Sequence, residues 1–125
     1  CLLKGFETAP RLILVDMHAE ATSERLAMGY FLDGRVSAVW GTHTHVQTSD
    51  AGVLEGGTGY ISDLGMTGAS RSVLGIDVEQ SVNKFFGDPP RRYRSGDGPG
   101  KMECCVFDID TDTGLCVRAE ALRIQ

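Results

Sequence analysis

The three histidines of this chain stand where they could hold metal ions. His43 and His45 are one residue apart in the segment 41–45 (GTHTH), and His18 follows an earlier apolar run. Imidazole is the commonest protein ligand for first-row transition metals. Because strand side chains alternate, a His-x-His pair that leaves a strand in extended conformation presents both rings on one side of the backbone. The pattern therefore favours a metal site over unrelated surface histidines.

The segments around the histidines predict the elements that must position them. The apolar runs 12–16 and 36–40 predict two buried strands, and the segment 22–32 between them predicts an amphipathic helix that ends at 33–34. We expect one of two residues with side-chain hydroxyls to cap this helix, and a row of four at helical spacing to form its buried face. The candidate caps are Thr22 and Ser23, and the residues expected on the buried face are Leu26, Tyr30, Ala27 and Phe31.

A strand, a helix and a strand at this spacing form a βαβ unit, in which the strands are parallel and the crossover is right-handed. The carboxyl ends of both strands then lie at the same edge of the sheet, which is where ligands bind in open α/β sheets. We therefore expect His18 to meet the His43 and His45 pair in space, although a helix separates them in sequence.

The rest of the chain predicts a second group of elements. Short strands are expected at 53–55 and 58–63, followed by a flexible segment at 64–68. A helix at 77–86 would begin at Asp77 as its cap and place Val78, Val82 and Phe85 on one apolar face. The final part predicts a β-hairpin with strands at 101–110 and 115–124, preceded by a mobile loop at 96–100.

The composition is that of one globular domain. The chain has 125 residues, of which 42% are hydrophobic, and its net charge of −5 argues against broad binding to nucleic acid or to anionic membranes. No run is long enough to span a membrane, and no signal-peptide pattern opens the chain. Because the first residue is Cys1 rather than methionine, we expect the chain to begin inside a longer polypeptide.

The cysteines do not form a ligand set, since the chain contains no Cys-x-x-Cys. Cys104 and Cys105 are adjacent and would point to opposite faces of a strand. We expect them to be small buried residues of a reducing compartment, and hence expect a cytoplasmic protein. A disulfide from Cys116 to either of them is the alternative.

Two further motifs are discounted. The alternating acids of 108–112 (DIDTD) are those of a calcium loop, but Thr113 and Ala119 stand where an EF-hand needs glycine and glutamate. The basic run 91–94 (RRYR) could contact phosphates or RNA, but in an acidic protein so short a run is more typical of a solvated strand edge.

Three segments together resemble a known family. They are 15–24 (VDMHAEATSE), 33–48 (DGRVSAVWGTHTHVQT) and 61–68 (ISDLGMTG), and they are similar to the C-terminal half of the bacterial YmdB-like metallophosphoesterases, the cyclic-nucleotide phosphodiesterase group of the calcineurin-like superfamily. The resemblance is dense from about residue 12 to 82 and thin from 87 onward. It implies an α/β fold, the C-terminal half of a four-layer α/β/β/α sandwich, and a centre of two metal ions, iron or manganese.

The same resemblance implies roles for the histidines. His18 and His43 would share one metal ion, and His45 would bind the other. The substrates would be small phosphodiesters, including 2′,3′- and 3′,5′-cyclic nucleotides, hydrolysed by a metal-activated hydroxide. Asp16 is a candidate acceptor for an imidazole N–H, or else an ordinary strand-end carboxylate, and we expect Thr42 and Thr44 to support the loop.

The family's remaining site residues lie in its N-terminal half, upstream of Cys1. They include the carboxylate that bridges the metals and the histidine that protonates the leaving group, so we expect no catalytic acid in this chain. Without that half, residues 1–125 would be one partial domain, inactive alone, with an uncovered apolar surface that favours a homo-oligomer. A mononuclear metal hydrolase and a non-catalytic interaction or regulatory domain with the same fold are the alternatives.

Overall fold

The computed structural model describes residue 8 and residues 10–125, so Cys1 lies outside the described part. The elements follow one another as strand, helix, four strands, helix and hairpin, and three of the four strands between the helices have only two or three residues. They are β1 Leu14–His18, α1 Thr22–Leu32, β2 Ala38–Thr42, β3 Gly52–Val53, β4 Gly59–Ile61, β5 Thr67–Ala69, α2 Val78–Phe85, β6 Gly100–Ile109 and β7 Cys116–Ile124.

The predicted βαβ unit is present and lies in a mixed four-stranded sheet. The strand order is β1-β2-β4-β3, with β1, β2 and β4 parallel and β3 antiparallel to β4. Both β1 and β2 end two residues later than the sequence predicted, and His18 pairs with Thr42 at the last position of the ladder. The carboxyl ends of the two strands therefore bring His18 beside the residue that precedes His43.

The helix α1 packs on this sheet with a face that the sequence analysis did not predict. Its buried residues are Arg25 and Gly29, whereas the four predicted residues (Leu26, Tyr30, Ala27 and Phe31) are exposed. A Cβ on Gly29 would lie 2.5 Å from the Tyr60 ring, so the missing side chain lets the helix approach β4. The N-cap prediction was also wrong, because the cap is Ala21, whose backbone N–H donates to Glu24 Oε2 at 3.2 Å.

The second sheet, β5-β6-β7, is antiparallel and lies on the opposite face of the first. Tyr60 faces α1, while a Cβ on its neighbour Gly59 would meet the Phe107 ring of β6 at 2.5 Å. Since neighbouring strand residues point to opposite faces, the layers run helix, sheet, sheet. Trp40 of β2 stacks on Phe107 with ring centroids 6.2 Å apart. The core between α1 and the first sheet is centred on Val36, Val39 and Tyr60.

The remaining elements lie near their predicted positions, although β3 and β4 are shorter than the predicted strands 53–55 and 58–63. Two features differ more. The strand β5 occupies part of the segment 64–68 that was expected to be flexible, because Thr67 pairs with Met102 of β6. Asp77 caps α2 as predicted, accepting from the Gln80 amide at 2.8 Å. The apolar face predicted for α2 is not buried against any described residues, and its Phe85 is 91% exposed.

The cysteines of the hairpin, Cys104, Cys105 and Cys116, are all free thiols, as expected, but the predicted burial of Cys104 and Cys105 was wrong, because both are only half-buried. Burial raises the pKa of the Cys105 thiol to about 11, so that the unreactive protonated form predominates near neutral pH. The acids of 108–112 lie at the end of β6 and in its turn, where Asp110 Oδ1 accepts from the Asp112 amide at 2.7 Å. None of the helices in the described residues is long and apolar enough to span a membrane.

Candidate metal centre

His18 and His43 meet at the carboxyl edge of the first sheet. His43 Nδ1 lies 3.3 Å from His18 Nε2, and the two exposed rings are edge to face with centroids 5.2 Å apart. Two nitrogens that each lie about 2.1 Å from one ion are about 3.0–3.4 Å apart when the angle at the ion is about 90–110°. The separation of these two nitrogens therefore fits two ligands of a single metal ion.

A relay of hydrogen bonds holds His18 in this orientation. Thr42 Oγ1 donates to Asp16 Oδ1 at 3.3 Å and lies 3.1 Å from His18 Nδ1. Because the carboxylate can only accept, the hydroxyl proton points to Asp16 and the hydroxyl lone pair accepts from His18 Nδ1. In a neutral imidazole the lone pair then resides on Nε2, the nitrogen that faces His43. Asp16 thus acts on His18 through Thr42 rather than directly.

His45 points elsewhere, contrary to the expectation of an extended His-x-His. The strand β2 ends at Thr42, and His45 adopts a left-handed conformation with a φ of 60°. Its Nδ1 lies 2.9 Å from the carbonyl oxygen of Leu74, which must accept, so Nε2 is the nitrogen left free as a ligand. The rings of His43 and His45 therefore point to different places, His43 toward His18 and His45 toward Leu74.

The turn that contacts His45 is itself strained. Leu74 and Gly75 both have positive φ, 54° and 95°, and Val73 and Ile76 exchange backbone hydrogen bonds of 2.8 and 3.0 Å across them. Positive φ at both central positions defines a type I′ turn, which asparagine and glycine favour and leucine does not. Leu74, an unfavourable residue at this position, supplies the carbonyl that orients His45.

A buried carboxylate anchors the loop that carries both histidines. Asp63 is 0% exposed, and its Oδ2 accepts from the Thr44 backbone N–H and from the Thr44 hydroxyl, both at 2.8 Å. The same oxygen forms an ion pair with Arg25, which is 1% exposed, and Oδ1 accepts from the Gly65 amide at 2.9 Å. Thr44, the residue between the histidines, is thus held by a buried carboxylate that also accepts from Arg25 and Gly65.

The same hydrogen bonds also lower the pKa of Asp63. Burial opposes ionisation of Asp63, but the hydrogen bonds from the Thr44 and Gly65 amides, from the Thr44 hydroxyl and from Arg25 outweigh it. The pKa of the Asp63 carboxyl therefore lies below its usual value. The pKa of Asp50 is also lowered, because hydrogen bonds led by the Ser62 hydroxyl outweigh its burial.

The lowered pKa values predict how stability depends on pH. A carboxyl whose pKa is lower in the folded state contributes stability above its unfolded pKa, near 4, and loses it as the pH falls through the folded value. We expect the free energy of unfolding of the whole protein to fall as the pH drops below about 4. Denaturant titrations at a series of pH values measure this, and an unfolding free energy that rises on acidification below that value would contradict it.

The residues that could hold metal are these three histidines, in two separate positions. No cluster of three or more His, Cys, Asp or Glu side chains with the geometry of a metal site is present within residue 8 and residues 10–125. The His18 and His43 nitrogens fit a shared ion, and the free Nε2 of His45 fits a second, but both sets are too small to complete a coordination shell.

Two residues of the site were missed by sequence reasoning. Asp63 was assigned only to a strand and Arg25 only to a helix, because neither stands in a recognisable ligand spacing. A signal was present in 61–65 (ISDLG), where an acidic residue ends an apolar strand at the same sheet edge as the histidines. The basic run 91–94 is exposed, and Arg94 there pairs with Asp77 at 3.1 Å.

The fold is that of an α/β protein with candidate metal ligands at the carboxyl edge of its first sheet, and comparisons with known proteins place it in a family. The model of a family described as YmdB-like protein matches residues 2–122. The chain therefore belongs to the YmdB-like protein family. A relative from Bacillus subtilis, named 2′,3′-cyclic-nucleotide 2′-phosphodiesterase, is 47% identical over 113 residues, which cover 90% of this chain and 43% of that protein.

Solved structures show the same likeness. A hypothetical protein from Thermus thermophilus superimposes with a TM-score of 0.87 at 40% identity, covering 98% of this chain and 47% of the other. A Mycoplasma pneumoniae protein described as a novel phosphatase gives a TM-score of 0.85 at 36% identity, covering 91% and 41%. The chain thus spans less than half the length of each. The predicted resemblance and the predicted α/β fold class, half of a metallophosphoesterase sandwich, are confirmed.

Proposed function

We propose that this chain forms part of the active site of a metal-dependent phosphodiesterase, in which His18 and His43 share one metal ion and His45 binds a second. The observation that carries the proposal is the 3.3 Å separation of His43 Nδ1 and His18 Nε2 at the carboxyl ends of adjacent parallel strands. The free Nε2 of His45, held by the Leu74 carbonyl, supports a second position. Iron and manganese are the proposed ions, since both accept imidazole together with oxygen ligands.

The proposed substrates are cyclic nucleotides. The support is the name of the Bacillus subtilis relative, whose substrate is a 2′,3′-cyclic nucleotide. When bound, the metal ions would supply positive charge for the phosphate oxygens and acidify the attacking water. This chain's own contribution is to orient the two rings so that Nε2 of each is the nitrogen available to a metal ion, through the Thr42 hydroxyl for His18 and the Leu74 carbonyl for His45.

The proposal assigns the remaining chemistry to residues outside this chain. Histidine ligands are neutral, and two adjacent divalent cations repel one another strongly unless a carboxylate lies between them. No described acidic side chain forms such a bridge with the histidines. We therefore propose that a bridging carboxylate and the acid that protonates the leaving group come from the other half of the whole protein. Association into a homo-oligomer stays a prediction.

Metal removal tests this function on the whole protein. We expect two metal ions per chain by elemental analysis, and hydrolysis of 2′,3′-cyclic AMP that is abolished by chelation and restored by Mn²⁺ or Fe²⁺. One tightly bound ion with full activity would instead indicate the mononuclear alternative. A protein that binds no metal and hydrolyses no phosphodiester would support a non-catalytic domain and contradict the proposal.

A further inference from the structure

One residue separates the two histidines of the pair, and it is the most firmly anchored residue of the loop. Thr44 makes two contacts of 2.8 Å with Asp63 Oδ2, one through its backbone N–H and one through its hydroxyl. Its hydroxyl also accepts from the Val46 amide at 3.2 Å. The exposed histidines on either side make no comparable contact with the interior.

Asp63 is in turn fixed from three directions. Arg25 reaches it from α1, and Gly65 reaches it from the segment that leads to β5. The Asp63 backbone N–H donates to Thr48 Oγ1 at 2.9 Å, and the Thr48 amide donates back to the Asp63 carbonyl oxygen at 3.1 Å. The anchor therefore links the helix, the end of β4 and the histidine loop at a single buried point.

Stability alone does not account for a buried pair in this place. Taking two charges out of water costs about as much as their mutual attraction returns, so a well-packed apolar pair would stabilise the fold as well or better. Arg25 Nε is buried without a hydrogen-bond partner in the described structure, which adds to the cost. A costly ion pair directly beneath two candidate ligands points to a role in orienting them.

We propose that Asp63, held by Arg25, is a positioning residue that acts through Thr44 to direct His43 and His45 to different metal ions. With Thr44 tied to the sheet, the chain must leave β2 toward His18 on one side and enter the left-handed conformation of His45 on the other. A released Thr44 would let His45 relax to negative φ, which L-residues favour, and would swing its ring from the Leu74 carbonyl.

The proposal rests on the proposed metal sites, and the experiment separates the two. Mn²⁺ is titrated into the metal-free whole protein by calorimetry, and the bound ion is followed by electron paramagnetic resonance. The variants are Asp63→Asn, which places an N–H₂ group among donors, and Thr44→Val, which keeps the shape and the backbone hydrogen bond. The controls are Thr67→Val, at an exposed position of β5, and Asp33→Asn.

Asp33 is a matched control because it also braces a loop by accepting two backbone amides. Those amides belong to Gly56 and Thr58, at 2.8 and 3.3 Å, and they lie before β4, at the opposite edge of the sheet. A general loss of loop bracing would therefore affect the Asp33 variant as well. A positioning role predicts that only the Asp63 and Thr44 variants change metal binding.

We expect both test variants to weaken Mn²⁺ binding by about 10–100-fold, as removal of a group that orients a metal ligand usually does. The folded fraction should show an altered Mn²⁺ spectrum, and the double variant should be no weaker than Asp63→Asn alone, because both substitutions break one linkage. If Asp63→Asn does not fold, Thr44→Val decides. Wild-type affinity and spectrum in folded Thr44→Val would overturn the positioning role, whereas a wild-type protein without Mn²⁺ binding would overturn the proposed function itself.

Discussion

Replacing His43 with alanine is expected to lower hydrolysis of 2′,3′-cyclic AMP by the whole protein at least about 100-fold, since even a group that only orients a ligand is worth about 10–100-fold. His43 Nδ1 and His18 Nε2 are close enough to share one ion, and a single imidazole would hold that ion poorly. The protein should still fold, because the His43 ring is exposed and its hydrogen-bond and ring–ring partner among the described side chains is His18.

The pattern of metal loss makes this prediction specific. His18→Ala and His43→Ala should each lose the same ion, and the double variant should be no worse than either alone. His45→Ala should lose the other ion, because its ring turns to Leu74. Elemental analysis and calorimetric Mn²⁺ titration measure this. The control is Val46→Ala, an exposed residue of the same loop that cannot bind metal, and equal metal content in all four single variants would refute the assignment.

The positions of the histidines could be predicted from sequence because they depend on local pattern and a topological rule. Apolar runs marked the strands, a helix between them implied parallel pairing, and parallel pairing places His18 and His43 at one edge. The structure confirms that edge with the register of His18 on Thr42. An error of two residues in the strand ends did not matter, since both strands shifted together.

The ion pair of Arg25 and Asp63 could not be predicted in the same way. Arg25 and Asp63 are 38 positions apart, and each has an ordinary explanation in its own segment, as a solvated helix residue and as a strand-end acid. Periodicity in α1 favoured Leu26 and Tyr30 as the buried face, because apolar residues are usually the buried ones. Close packing of Gly29 on Tyr60 and the ion pair at Arg25 outweighed that preference, and neither is visible in one segment alone.

The prediction that His43 and His45 lie on one side of an extended backbone was wrong for a related reason. Alternation holds only while the backbone stays extended, and β2 ends at Thr42, before the first histidine of the pair. The hydrogen bonds of Thr44 to Asp63 replace the ladder and turn the chain. The pair therefore lies beyond the end of the strand, and its rings point to different neighbours, His43 to His18 and His45 to the Leu74 carbonyl.

Gly41→Ala is expected to destabilise the protein by about 3 kcal/mol, near the upper end for overpacking of a core. A Cβ on Gly41 would lie 1.8 Å from the carbonyl oxygen of Ser62 and 2.5 Å from Arg25 Cδ. The first contact is with backbone of the neighbouring strand segment, which cannot move aside as a flexible side chain can. The substitution would also push Arg25 away from Asp63, so the stability of the sheet edge and the anchor of the histidine loop are lost together.

Denaturant unfolding of the whole protein measures the loss, and Gly52→Ala provides the matched control. Gly52 lies in β3 of the same sheet, and the nearest atom to its added Cβ would be the Asp50 carbonyl oxygen at 4.0 Å. An alanine there should change stability by less than about 1 kcal/mol. If Gly41→Ala unfolds at the same denaturant concentration as the control, the result would contradict the close packing of Gly41 against the Ser62 carbonyl. If the Gly41→Ala variant is destabilised and its folded fraction also binds Mn²⁺ more weakly, then Gly41 is needed for the ion pair as well as for packing. The reason would be that Arg25 passes over Gly41 to reach Asp63, the carboxylate that holds Thr44.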